Sequence, residues 1–257
     1  MSNGDGNSSF SEKTKQVTKK GLSGRSYKTK AGLTKKPQKM RGRKLSSQRW
    51  LTRQLNDPFV SQTHERGLRS RAAIKLEQMD DKHKFLRPHM NVVDLGCAPG
   101  GWLQVVAKRC RMGSGIGRLV GIDLLETEPV NGAYILKGDI FDENMIKEIK
   151  SYLNGYADIV LSDMAAATTG HRLTDHLRTM SLLEAALDFA DDVLSDSGIF
   201  LAKAFRGGAD KSLLTLLNNK FEKVKHLKPP ASRVESVETY LFAKGYVGAN
   251  KSKKSKN

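Results

Sequence analysis

VVDLGCAPGGW, residues 92–102, passes from an apolar run into a loop of three glycines and one proline, and the chain then continues with helical spacing. Residues 91–95, ending at the glycine loop, predict a short buried strand, and Trp102, Val105, Val106 and Arg109, at three- and four-residue steps, predict a helix. A strand that turns through glycines into a helix presents backbone to a ligand. This one stretch therefore sets the expectation of an α/β fold whose ligand lies at the carboxyl end of a strand.

Working outward, the same alternation recurs. Strands are predicted over 119–122, ending at Asp123, over 134–136, ending near Asp139, over 157–161, ending at Asp163, and over 199–202, ending at Lys203. Helices are predicted over 146–153, from about Thr174 to Leu194, and over 211–217. Another begins at Ser70, with Ala72, Ala73, Leu76 and Met79 at helical steps and Lys75 on a neighbouring face. Strands near 224–227 and 239–243 close the domain. Strands alternating with helices imply a mostly parallel, seven-stranded Rossmann-like sheet with helices on both faces. Such sheets bind ligands at the carboxyl ends of their strands, which gathers residues 96–101, Asp123, Asp139, Asp163 and Lys203 along one edge.

The charge is uneven. Of a net +17, residues 1–54 hold 15 Lys and Arg against Asp5 and Glu12, residues 251–257 add four lysines, and residues 55–250 balance 25 bases with 25 acids. Residues 1–48, rich in Ser, Gly, Lys and Thr, cannot bury enough surface to offset their chain entropy and are expected to be a disordered basic arm. The domain is placed at 49–246, with a basic tail at 247–257. The arms suit the phosphates of a nucleic acid. Idle, solvated segments are a second reading, and a mitochondrial transit peptide is a third, disfavoured by the lack of an amphipathic helix. Two cysteines, Cys97 and Cys110, without metal-spaced partners, indicate reduced thiols. No apolar run nears the roughly 18 residues of a membrane span. The expectation is a soluble, cytoplasmic monomer with no membrane contact. His171 and His176, near Asp175, lack a further ligand at metal spacing, so no metal is expected.

A glycine loop followed about 25 residues later by an acid at a strand end suits a ribose-bearing cofactor, without separating a nicotinamide dinucleotide from S-adenosylmethionine. The loop GCAPGG is not G-x-G-x-x-G, and Pro99 and Trp102 would crowd a second phosphate. A cofactor without phosphates fits better.

SRAAIKL (70–76), VVDLGCAPGGW, GIDLLETEP (121–129), KGDIFDE (137–143), LSDMA (161–165), LAKAFRGG (201–208) and SRVESVETYLFAKG (232–245) stand in this order. Over about residues 60–245 the chain thereby resembles the FtsJ/RrmJ (RlmE) family of ribosomal RNA 2'-O-methyltransferases. The resemblance implies S-adenosylmethionine as cofactor and, as substrate, a uridine in the A loop of large-subunit rRNA within the assembled subunit. It implies a catalytic tetrad at Lys75, Asp163, Lys203 and Glu238, and cofactor contacts at Gly100, Trp102, Asp123, Asp139 and Asp163. The chain departs from the family in the loop after Asp163, where Ala166 and Ala167 replace Pro-Asn, so this loop is expected to be more mobile. A slightly longer turn at 110–117 and the long basic arm also depart.

Removing a proton from a weakly acidic ribose hydroxyl needs a base and alignment. Lysine becomes such a base when burial or a second cation depresses its pKa, so Lys203 is expected to be the base, with Lys75 as that cation and Asp163 and Glu238 orienting the groups. Singly, each residue also reads as a solvated lysine, a strand-end cap or a surface ion pair. Rival functions are an rRNA-binding assembly factor, the same chemistry on tRNA or an mRNA cap, and an NAD oxidoreductase.

Overall fold

The computed structural model describes residues 17–20, 26–29, 42, 47–48, 52, 56–167, 169–205, 211–233 and 236–248. Residues 1–61 and 62–257 form separate compact units. In the first, within the arm expected to be disordered, β1 (Val17–Lys20) pairs antiparallel with β2 (Ser26–Thr29). Val17, Thr18, Tyr27 and Thr29 are residues that favour extended backbone, a local preference that charge counting overlooks. Most of the rest of that arm, and the tail beyond 248, lie outside the described residues. A helix not anticipated from the sequence, α1 (Pro58–Glu65), starts at a proline and is capped by Asp57 Oδ1, which accepts from the Phe59 N–H at 3.0 Å.

The second unit opens with α2 (Arg71–His83), followed by β3 (Val92–Leu95), α3 (Gly101–Arg109), β4 (Leu119–Asp123), β5 (Tyr134–Lys137), α4 (Glu143–Leu153) and β6 (Ala157–Ser162). It continues with α5 (Arg172–Val193), β7 (Leu194–Phe205), α6 (Lys211–Lys220), β8 (Phe221–Leu227) and β9 (Glu238–Tyr246). The seven strands lie in the order β5-β4-β3-β6-β7-β9-β8. All pairs through β6–β7 are parallel, and β9 runs antiparallel to both β7 and β8. The expected fold is thus the observed one, a mostly parallel seven-stranded sheet with an antiparallel edge.

Period-two alternation divides the strand side chains between two cores. Val93, Val120, Val160, Phe200 and Leu241 face the side covered by α4, α5 and α6, whereas Val92, Leu119, Ile159, Leu201, Tyr240 and Phe242 face α2 and α3. Two boundaries differ from expectation. β7 begins at Leu194 rather than near Ile199, with a shift of register between Ala157 and Ile159 in its pairing to β6, so α5 passes into it without a separate turn. Asp142 starts α4 three residues early by accepting from the Asn144 N–H at 2.9 Å.

α2, which carries Lys75, is fixed by its packing and its bonds. Ala73, Leu76 and Met79 are buried, Lys84 ends the helix in left-handed backbone, and the buried Asp80 accepts from Leu86 N at 2.8 Å and pairs with Arg109 of α3 at 3.3 Å. The Trp102 indole N–H donates to the Ala72 carbonyl at 2.8 Å, locking α3 to α2.

Candidate active site

The loop after β3 is shaped by its glycines. Gly96 has φ +74°, where a Cβ would stand 2.6 Å from Met164 Cγ, and Gly100 has φ +100°. Gly101 has ordinary backbone, yet a Cβ there would lie 2.2 Å from Ser70 Oγ, so this glycine serves the close packing of α3 on the start of α2. Asp123, at the end of β4, holds the loop in place: its Oδ2 accepts from Ala98 N at 2.9 Å and its Oδ1 from Leu125 N at 2.8 Å. Each oxygen retains a second lone pair for a ligand hydroxyl. Asp139 is exposed beyond β5 and accepts from Phe141 N at 3.1 Å. Arg69 spans the mouth, donating to the carbonyls of Pro99, Glu128 and Pro129 at 3.2, 2.6 and 2.7 Å.

Two expectations about this edge need adjustment. Trp102 is 3% exposed, with its ring 5.8 Å from that of Tyr240, so its indole belongs to the core; only its main chain, in the first turn of α3, faces the loop end where N–H groups lack helical partners. The loop after Asp163, expected to be more mobile, is tied to α5: Asp175 accepts from Thr169 N and Oγ1, both at 2.7 Å, and from Gly170 N at 3.1 Å, and Arg178 donates to Ala167 O at 3.3 Å. Those bonds hold the Asp175 carboxyl below its ordinary pKa. Among the described residues no group of three His, Cys, Asp or Glu is arranged around a metal position. Cys97 and Cys110 are free and buried, and burial pushes both thiols up to about 12.

Lys75, Asp163, Lys203 and Glu238 converge from α2, the end of β6, β7 and the start of β9. Lys75 Nζ lies 2.5 Å from Glu238 Oε1, Lys203 Nζ 3.2 Å from Asp163 Oδ1, and Lys203 Nζ 4.0 Å from Glu238 Oε2. Cation and anion alternate along this line. The expected side-by-side lysines are therefore replaced by an arrangement in which each ammonium has its own carboxylate. Burial pushes the Glu238 carboxyl up, but Lys75 and Lys203, with bonds from Lys75 and Ser232, outweigh it and hold its pKa below the ordinary value.

Three further residues complete the site and were not foreseen. Tyr240, fully buried, directs its hydroxyl at Asp163 Oδ1, 3.0 Å away, with Glu238 Oε1 at 3.4 Å and Lys75 Nζ 6.0 Å from its ring centroid. Burial, then Asp163 and Glu238, raise its pKa well above the ordinary value, so it remains a donor. Ser232 Oγ donates to Glu238 Oε1 at 3.0 Å from a loop that Gln78 anchors through the Ala231 N–H at 2.7 Å. Asp94, on β3, is 1% exposed, and neither carboxylate oxygen has a hydrogen-bond partner among the described residues. Burial, then the nearby Asp163 and Asp123, push its pKa well up. The sequence signal for Asp94 was its place at the strand end beside the glycine loop; for Tyr240 and Ser232 it was only their neighbourhood to Glu238.

Against known proteins, a family model for FtsJ-like methyltransferases matches residues 68–246. The chain is 49% identical over 239 residues to ribosomal RNA large subunit methyltransferase E of Ruegeria sp. (strain TM1040), spanning 91% of this chain and 99% of that one. It is 52% identical over 219 residues to the protein of the same name from Parvibaculum lavamentivorans, spanning 82% and 86%. A crystal structure from Plasmodium falciparum, described as that of a candidate ribosomal RNA methyltransferase, superposes with a TM-score of 0.63 at 30% identity, over 70% of this chain and 99% of that one.

Proposed function

The chain belongs to the FtsJ-like methyltransferase family, and from that premise we propose that it methylates a ribose 2'-oxygen of large-subunit ribosomal RNA, using S-adenosylmethionine. The observation that carries this reading is the alternating Lys75–Glu238–Lys203–Asp163 line at the carboxyl edge of the sheet. Relatives that share about half of its residues bear the name of a large-subunit rRNA methyltransferase. The finer assignment, a uridine of the A loop in the assembled subunit, rests on the family resemblance.

The residues fit the cofactor. S-adenosylmethionine has cationic groups and a ribose but no phosphate, and the edge offers the acids Asp94, Asp123 and Asp163, with unpartnered oxygens on Asp94. Asp123 and Asp139 would take ribose and base groups, and the main chain of Gly100 and Trp102 the carboxylate end, where helix N–H groups favour negative charge. When bound, the cofactor supplies an electrophilic methyl group.

The protein's own part is alignment and proton removal. Lys203, in its neutral form, takes the 2'-hydroxyl proton onto Nζ while Asp163, held by Tyr240, fixes the direction of that nitrogen. Glu238, fixed by Lys75 and Ser232, holds the other side of Lys203 and stays ionised. Water exclusion by the buried ring of Tyr240 strengthens these interactions.

The test is transfer of radiolabelled methyl from S-adenosylmethionine to large subunits from a strain lacking this gene, beside free rRNA, tRNA and the Lys203→Ala protein. Alkali-resistant label in subunit rRNA, absent with the variant, is expected. Label confined to tRNA would redirect the substrate, and cofactor binding without any label would leave an assembly factor.

A further inference from the structure

The body of the chain is neutral overall but not evenly so. β8 forms one edge of the sheet, and in its register with β9, Lys223 stands opposite Lys244 while Lys225 stands opposite Phe242. The three lysines therefore project from one face of the sheet, with Glu222 on the other. All three are exposed, and Lys244 is the one exposed residue of β9, a strand otherwise buried or half-buried. Among the described residues none of the three makes an ion pair. Phe242 stacks on His83 at 5.5 Å, so the end of α2, with exposed Lys82, borders the same patch. Burial, then Lys82 and Lys225, lower the His83 pKa.

Like charges directly opposite across a ladder destabilise a sheet. The fold gains nothing from Lys223 facing Lys244, and an anion would relieve it. We propose that Lys223, Lys225 and Lys244 form a second docking surface, taking phosphates of the ribosomal RNA away from the reacting ribose. The proposal rests on the reading of the substrate as rRNA. β9 runs from Glu238 in the active site to this patch, and the six residue steps from Glu238 to Lys244 span about 20 Å. Lys223 and Lys225 stand about 7 Å apart on one face, close to the separation of successive phosphates on a strand. The surface thus engages folded RNA at one end of the sheet while the other end acts on it.

The test measures binding of the whole protein to large subunits across a salt series, for wild type, K223Q/K244Q, and a control pair, K147Q/K211Q, of exposed lysines on the other face. The patch variant is expected to lower the slope of log affinity against log salt by about two units, since each phosphate contact contributes about 0.9. KM for subunits should rise several-fold with kcat and cofactor affinity unchanged, and Tm should hold or rise as repulsion is relieved. An unchanged slope, or an equal change in the control pair, overturns the proposal. So does unchanged binding accompanied by self-association, which would mean that the lysines only guard an edge strand. A loss seen with subunits but not with protein-free rRNA overturns it in favour of an acidic ribosomal protein. Because binding is read without methyl transfer, failure of the catalytic reading registers separately as absent label.

Discussion

Both carboxylate oxygens of Asp94 lie buried without a partner among the described residues, in a folded state that pushes its pKa well up. The contribution of such a carboxyl to stability is complete below its unfolded pKa of about 3.9 and is lost as pH rises from there through the folded value. At neutral pH Asp94→Asn is therefore expected to raise Tm while weakening S-adenosylmethionine by about tenfold or more, the cost of losing a charged partner; a lowered Tm would refute the idea of a stored electrostatic cost. Glu238 has the opposite sign. Its pKa is held low by Lys75 and Lys203, so its contribution is present above about pH 4.3 and lost as pH falls through the folded value. Wild type should lose more stability than Glu238→Gln over that acid range, read by thermal melts at each pH. Lys203→Ala should lower kcat by about 10²–10⁴. Lys203→Arg should fail too, because a guanidinium keeps its proton. A near-normal rate for the arginine variant would remove Lys203 from the role of base.

At the scale of elements, the junction between α3 and α2 holds the glycine loop. Gly101→Ala would drive a methyl group into Ser70 Oγ and is expected to cost about 1–3 kcal/mol. Ser70 makes no side-chain cap bond, so adding Ser70→Gly should return most of the loss, as a double-mutant cycle of melts would register; additive losses would mean that the clash is not the cause. Elements were the best-read level. Strand and helix periods in VVDLGCAPGGW and its successors located the central elements and four acids or bases at strand ends, because each signal lies within a dozen consecutive residues. What escaped depends on distance. Tyr240 reads as one more apolar strand residue until Asp163, 77 positions away, is brought to its hydroxyl. The Trp102 indole reads as available to a ligand until Ala72, 30 positions away, claims its N–H. Charge composition hid the β1–β2 pairing, and it also hid the patch at Lys223 and Lys244, since a balanced total says nothing of register.

For the whole molecule, the proposal to test is that the basic arm adds electrostatic attraction to RNA. Removing residues 1–48 should leave the melting of the remainder and the cofactor affinity intact while weakening rRNA binding and flattening its salt dependence; an unchanged slope would end that role. The order of strands has a further consequence, in the making of the protein. Among the described residues β9 is the last strand, yet it lies inside the sheet, between β7 and β8, and it supplies Glu238 and Tyr240. Until it emerges from synthesis, β7 presents an open edge and β8 has no neighbour in the sheet at all. A chain cut short before residue 238 is thus not a weaker enzyme but an unfinished one, with two exposed strands prone to wrong pairing. Catalytic competence and the closing of the fold arrive together, in the same final strand.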